Sequence, residues 1–345
     1  MEDKATEKNN LKGKRLLVVG AGGFIGGFIA DEGLRRGMEV TAAVRQSTSR
    51  RYLSDPRIEF LVLDYDDPAG MTEAIATAPH WDYIIYNLGA TKCMNYLDFK
   101  RINYEYLRRF TNALTATGHV PERLLFMSSL SALGPGDEKG YAPLDATKFP
   151  TPDTRYGQSK IMAEQHLEHF AGIPYIIFRP TGVYGPHEKD YLMMIKSIDS
   201  HFDFGVGFRK QMLTFIYVDD LVNAMFDALE SGVKNRKYII SENRAYTQKE
   251  FRSIVAEELG GKWVIPVKLP LWAVWAASAV AEKVAKMQCK TSTLNRDKFK
   301  IMKQRNWNAD ISSAVEEFGF NPKVDLREGI RRTVAAYKAE KKRGH

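Results

Sequence analysis

The chain has 345 residues, 44% of them hydrophobic, which is the make-up of a globular protein able to bury one large core or two modest ones. Its net charge of +8 is gathered in part between Lys338 and Arg343, but no stripe of interleaved basic and aromatic residues accompanies it, which argues against a nucleic-acid partner. The two cysteines, Cys93 and Cys289, are too few for a disulfide framework and lack metal-ligand spacing, so neither a stapled fold nor a metal site is expected.

Residues 1–13 are polar and charged, with no apolar stretch before Leu16 that could act as a signal peptide, and read as a disordered lead-in to a cytoplasmic protein. The apolar run from Arg15 to Gly20 then predicts a buried parallel strand feeding a tight turn, and Phe24 to Arg36 a helix. Further strands are expected over Glu39 to Arg45, Ile58 to Leu63 and Tyr83 to Tyr86, followed by a helix over Phe99 to Thr117. Arg123 to Met127 reads as a strand, Tyr156 to Phe170 as a helix, Tyr175 to Phe178 as a strand and Lys237 to Ile240 as a seventh. This alternation predicts an α/β fold with a doubly wound parallel Rossmann sheet. The sheet would occupy residues 14–181 and be completed by 214–241. From about Gly182 the pattern loosens into short helices around 191–212, 247–260 and 269–286. Residues 182–213 and 242–337 therefore read as a smaller, mostly helical substrate lobe, and 338–345 as a basic tail.

Glycines fall at 20, 23 and 26 in the first strand-to-helix turn, within Gly20-Ala-Gly-Gly23-Phe24-Ile25-Gly26. Gly20 permits the tight turn, Gly23 lets backbone approach a pyrophosphate, and Gly26 allows the helix to pack closely on the strand. An acid about 20 residues on would bind the adenosine ribose of NAD, whereas a cation there accommodates a 2′-phosphate. The second strand ends at Arg45, followed by Gln46, Ser47 and Arg50, with no acid. NADP is therefore favoured over NAD, the alternative being that Arg45 only covers the adenine face. Asp64-Tyr65, ending the third strand, is placed to meet the adenine amine, although Asp64 would serve equally as a turn residue. Tyr156 and Lys160 share a helix face one turn apart, so the Lys160 ammonium is expected to lower the Tyr156 pKa from its usual ~10 and make the phenol a usable acid or base.

Taken together these segments resemble an extended short-chain dehydrogenase/reductase of the epimerase, dehydratase and 3β-hydroxysteroid dehydrogenase kind, from Leu16 to about Tyr337. The likeness rests on the glycine loop, Asp64-Tyr65, Asn87-Leu88-Gly89-Ala90, Asn103, Ser128-Ser129, Tyr156-x-x-x-Lys160, Arg179 to Pro186 and Tyr217-Val-Asp-Asp220. It implies that Ser129 hydrogen-bonds the substrate oxygen, with Ser131 a second candidate, and that Tyr156 exchanges its proton. It further implies that Lys160 holds the nicotinamide ribose, that Asn103 supports the site from behind, and that Leu88, Gly89 and Arg179 belong to the cofactor-binding set. A homodimer, formed through the helices after the fourth and fifth strands, is also implied.

Two departures bear on the substrate. Gly182 stands where nucleotide-sugar members of the family usually carry Asn, and Met212-Leu213-Thr214 stands where they tend to carry a diphosphate-gripping Arg. The apolar stretch Leu269 to Val280 is too short to span a bilayer and reads either as a lid helix on the core or as a peripheral membrane contact. Trp307, Asp310 and the segment 317–322 read as structural. The expectation is an NADP-dependent oxidoreductase that interconverts a ketone and a secondary alcohol on a hydrophobic, sterol-like or long-chain lipid molecule. The competing readings are a nucleotide-sugar epimerase or dehydratase and a non-catalytic dinucleotide sensor. Leu130 supplies no acid for dehydration, and the intact Ser129, Tyr156 and Lys160 set speaks against a sensor.

Overall fold

Leu16 to Val19 are four consecutive apolar residues with no exposed surface, the mark of a strand covered on both faces. The computed structural model describes residues 10–288, 291–292 and 294–343; Cys289 and most of the lead-in lie outside them. The strands are β1 (Arg15–Val19), β2 (Glu39–Val44), β3 (Glu59–Val62), β4 (Tyr83–Tyr86), β5 (Arg123–Met127) and β6 (Tyr175–Pro180). They continue with β7 (Gly182–Tyr184), β8 (Phe202–Val206), β9 (Met212–Tyr217), β10 (Arg236–Ile240), β11 (Ala245–Thr247) and β12 (Ile265–Leu269). The helices are α1 (Phe24–Arg35), α2 (Pro68–Ala76), α3 (Tyr96–Lys100), α4 (Tyr106–Ala116), α5 (Arg155–His169) and α6 (Lys189–Asp199). They continue with α7 (Val218–Glu230), α8 (Gln248–Glu258), α9 (Leu271–Met287), α10 (Arg296–Lys303), α11 (Ser312–Phe318) and α12 (Leu326–Arg343).

Seven strands form the central sheet in the order β10-β6-β5-β4-β1-β2-β3, every pair parallel, so the doubly wound sheet expected from the sequence is present. Side chains of β1 alternate between two cores. Leu16 and Val18 pack with Ile29 of α1, Leu221 of α7 and Ile330 of α12. Leu17 and Val19 pack with Met71 of α2, Phe110 of α4 and Ala163 of α5. The chain reverses its winding between β1 and β4, and open α/β sheets hold their ligands in the crevice at such a point.

Several local expectations are corrected. The helix expected over Phe99 to Thr117 is α3 and α4 joined by a π turn at Arg101–Glu105. The wider turn carries Asn103, which is fully buried; π turns often mark functional positions. The lobe expected to be mostly helical also holds the ribbon β12-β8 and the outer strands of a small sheet β11-β9-β7; its middle strand β9 lies largely within 214–241, so of that span only β10 completes the central sheet. Leu11, expected in a disordered lead-in, is buried in the core, and Gly13 donates to the Gly37 carbonyl at 2.9 Å. Of the expected basic tail, Lys338 to Arg343 form the last turns of α12. Among the described residues no helix is long and apolar enough to cross a membrane.

Candidate active site

The turn after β1 is shaped by what each glycine lacks. Gly20 has φ +83°, and a Cβ there would lie 2.7 Å from the Leu88 amide, so the turn passes directly against the loop after β4. A Cβ on Gly26 would lie 2.4 Å from the Gly20 carbonyl oxygen, which is why α1 can begin so close to the strand. At Gly23 a Cβ would meet only the Gly20 oxygen, at 3.5 Å, leaving the outer side of the backbone open to approach. Gly23 is also the N-cap of α1, with no side-chain cap and no acid in the first turn. The free amides and positive end of that helix face a cleft of about 890 Å³ and suit a phosphate. Phe24 and Ile25 line this cleft, whereas Gly26 acts through packing.

Arg45 lines the cleft at the end of β2, together with Ser47, Thr48 and Ser49, which sequence reasoning left without a role. Thr48 Oγ1 accepts the Arg45 amide at 3.0 Å, fixing the turn, and Arg45 forms no ion pair among the described residues. Tyr65 also lines the cleft; its ring stacks on Tyr106 at 5.3 Å between centroids, and burial drives its phenol pKa upward. Asp64 is not on the cleft wall. Its carboxylate accepts the Asp66 amide at 2.9 Å, so it does serve as a turn residue, the alternative role the sequence left open.

Ser129 follows β5, and Tyr156 and Lys160 rise from the first turns of α5; all three line the cleft. Thr154 caps α5 by accepting the Gly157 amide at 3.0 Å, and Asp297 of α10 accepts the Tyr156 amide at 3.2 Å. Burial pushes the Tyr156 phenol up to about 12, with the neighbouring Ser129 hydroxyl acting against it. Lys160 Nζ donates to the Met127 carbonyl at 2.7 Å and lies 4.9 Å from the centre of the Phe126 ring. Burial brings the ammonium down to about 8, with the Glu164 carboxylate acting against it. The expectation that Lys160 lowers the Tyr156 pKa is therefore corrected. The ammonium is held by Met127, and desolvation dominates both groups.

Behind the site, the Asn103 side chain accepts the Ala90 amide at 2.7 Å and donates to the Ala90 carbonyl at 3.0 Å and to Ser159 Oγ at 2.9 Å. It ties the loop after β4 to α5 without reaching the cleft, so it positions the site rather than touching a cofactor. Leu88 and Gly89 do line the cleft, and a Cβ on Gly89 would stand 3.0 Å from Lys160 Nζ. Arg179 was expected in the cofactor-binding set and is corrected. It has no exposed surface, its guanidinium pairs with Glu164 at 2.5 Å and donates to the Ala146 carbonyl at 3.0 Å, and it is absent from the cleft wall. Ser128 donates to the same carboxylate, so Glu164, which sequence reasoning missed, joins β5, β6 and α5 in one buried network.

The cleft is also walled by Thr91, Lys92, Gly182, Asp190, Lys298 and Ile301. Lys92 Nζ lies 2.6 Å and Lys298 Nζ 3.0 Å from the Asp190 carboxylate, a triad of two cations and one anion that no sequence motif announces. A Cβ on Gly182 would fall 2.0 Å from the Tyr191 hydroxyl, so Tyr191 fills the space an asparagine side chain would need. Leu213 is partly buried against the core and does not line the cleft. Neither does any residue of 269–280: α9 is not a lid on this cleft, and α10 stands there instead through Lys298 and Ile301.

The sequence profile of the NAD dependent epimerase/dehydratase family matches residues 16–241. Short-chain dehydrogenase/reductase family 42E member 1 of Danio rerio is 23% identical over 305 residues, covering 80% of this chain and 75% of that protein. The sterol-4-alpha-carboxylate 3-dehydrogenase, decarboxylating, of Dictyostelium discoideum is 21% identical over 337 residues, covering 92% of this chain and 99% of its own. Among solved structures, the UDP-glucose 4-epimerase with UDP-glucose from Thermotoga maritima is similar with a TM-score of 0.76 at 22% identity, covering 94% of this chain and 99% of that one.

Proposed function

The chain belongs to the NAD dependent epimerase/dehydratase family, and from that premise we propose that it is an NADP-dependent oxidoreductase interconverting a secondary alcohol and a ketone. The observation that carries this reading is that Ser129, Tyr156 and Lys160 share one wall of the cleft that also holds the open glycine turn. The residues present fit a dinucleotide: α1 offers uncapped amides, Gly23 leaves the backbone approachable, and Arg45 is a cation without a carboxylate partner where a 2′-phosphate would lie. A bound nicotinamide cofactor supplies or accepts the hydride.

The protein's own groups handle the proton and the oxygen. With its phenol pushed up to about 12, Tyr156 is protonated at neutral pH and is a donor to a ketone oxygen. Ser129, held at the strand end with its Oγ accepting the Ser131 amide at 3.2 Å, adds a second donor as negative charge develops on that oxygen. Lys160 holds positive charge beside the reacting region and would bind the ribose hydroxyls of the cofactor.

The substrate is proposed to be a hydrophobic ketone or alcohol, on the support of Gly182, whose side-chain space Tyr191 fills; Leu213 lies off the cleft and carries no weight. The apolar 269–280 stretch no longer contributes, because it is off the cleft. A nucleotide-sugar epimerase is the second reading, favoured by Lys92 and Lys298, whose joint charge exceeds that of Asp190 and suits an anionic group. The experiment is to follow NADPH absorbance with lipid-like ketones and, in parallel, to analyse products from UDP- and dTDP-sugars. Net NADPH oxidation by a ketone supports the first reading. Epimerised or dehydrated sugar without net cofactor change overturns it and establishes the second.

A further inference from the structure

Helix α9 is built inside out. At Val274, Ser278 and Glu282, spaced four apart on one face, it turns inward residues of which two are polar, 0% and 6% exposed for Ser278 and Glu282. Ser278 Oγ bonds back to the Val274 carbonyl at 2.7 Å, and Glu282 pairs with Arg296 at 3.1 Å. Its opposite side shows solvent Trp272, Trp275, Val280, Val284 and Met287, with Trp272 74% and Met287 78% exposed. A helix lying on a globular core has the reverse arrangement.

The β8–β12 ribbon extends the same exposed apolar character. Its register sets Ile265 beside Phe202 and Val267 beside Phe204, and the two phenylalanine rings stack at 6.0 Å. Asp203, between them, points inward to Arg252 at 3.2 Å. The ribbon runs into the helix: the Gly207 amide donates to the Leu269 carbonyl at 2.8 Å, and Leu271 lies 3.5 Å from where a Gly207 Cβ would stand. Three of the five tryptophans, Trp263, Trp272 and Trp275, are exposed in this region, far more than scattered surface hydrophobics require.

Charge identifies the occupant. Within 202–212 and 262–288 the only carboxylates, Asp203 and Glu282, are buried and paired inward. Arg209, Lys210, Lys268 and Lys283 are exposed and form no ion pairs among the described residues. A two-fold contact with a second copy would set these cations against one another, whereas an anionic lipid surface complements them. Tryptophan prefers the boundary between headgroups and acyl chains. We propose that β8, β12 and α9 form a face that seats this protein on an anionic bilayer surface, α9 lying in the interface plane rather than crossing it. This docking is independent of the substrate reading above.

The test uses the full chain and vesicles of phosphatidylcholine, with or without phosphatidylserine. Co-sedimentation should be more than about tenfold stronger with phosphatidylserine present and should weaken as salt rises. Tryptophan emission should shift to the blue on binding and be quenched by brominated acyl chains. Lys268→Glu with Lys283→Glu should abolish the preference for the anionic vesicles, and Trp272→Glu should reduce binding with either lipid, both leaving turnover of a soluble substrate unchanged. Absence of vesicle binding by the unaltered protein would overturn the proposal. So would a lipid-free, concentration-dependent dimer that Trp272→Glu dissociates, because the face would then belong to a second copy.

Discussion

Asp297 accepts the backbone N–H of Tyr156 at 3.2 Å, joining residues 141 apart in the chain. The first amides of a helix have no intrahelical partner, and at the start of α5 one is met by Thr154 and another by this carboxylate from α10. Lys300 of the same helix donates to the Asp153 carbonyl at 2.5 Å, so α10 grips the approach to the first turn of α5 at two points. Asp297→Ala should therefore lower kcat roughly tenfold while leaving the Kd of NADPH nearly unchanged, since misplacing a reacting group is costly even far from the chemistry. Asp297→Asn, which keeps an acceptor oxygen, should restore most of the rate. Equal loss in both variants would mean that the charge, not the placement of Tyr156, is what matters.

Tyr156→Phe keeps the ring that packs 6.2 Å from Phe99 and removes the proton donor. Turnover should fall about 10²–10⁴-fold with cofactor affinity retained. Lys160→Ala should impair both, and isothermal titration with NADPH separates the two variants.

Lys160 also predicts a pH dependence. Its ammonium titrates at about 8 in the fold against an ordinary value of 10.5, so the unfolded chain binds the extra proton between those values. Its contribution to stability is fully present above the unfolded value and is lost as pH falls through about 8. The cofactor-free protein should gain up to about 3 kcal/mol from this one group as pH rises from 8 to 10.5. Denaturant titrations of Lys160→Met should show that gain missing, and parallel curves for the two proteins would refute it.

The sheet was legible because both its faces are covered, so each strand announces itself as an unbroken apolar run such as Leu16 to Val19. Tyr156, Lys160 and the glycine turn were legible because local backbone geometry sets their spacing. Asp297, Glu164, Lys92 and Asp190 were not, since each acts on a partner distant in sequence and belongs to no short motif. The apolar stretch 269–280 was visible as a helix, but the sequence left open whether it faces the core or a membrane. Only the fold shows that Ser278 and Glu282 turn inward and the tryptophans outward.

The proposed preference for NADP rests on Arg45. With no acid at the end of β2 and no carboxylate pairing the guanidinium among the described residues, NADPH should bind more tightly than NADH. Arg45→Asp should narrow or reverse the preference by about 1.5–3 kcal/mol, the worth of a charge-assisted contact to phosphate. Fluorescence titration of both cofactors measures this directly, and equal affinities in the unaltered protein would defeat it.

The Lys92–Asp190–Lys298 triad on the cleft wall tests the second reading, in which the substrate carries an anionic group. Lys92 and Lys298 share one carboxylate and together hold Asp190 below the usual carboxylate range, so the cluster keeps a net positive charge. A substrate with a carboxylate or phosphate there can take one lysine from Asp190 without leaving a buried charge unpaired. An uncharged ketone makes no such exchange. Lys92→Ala and Lys298→Ala should each raise KM about tenfold or more for anionic substrates, with kcat little changed, because the lost contact exists in both ground and transition states. For uncharged ketones the same variants should leave KM within about a factor of two, since a partly exposed pair contributes little by itself. Unchanged KM for every anionic substrate would show that the lysines serve only to tie α6 and α10 to the loop after β4.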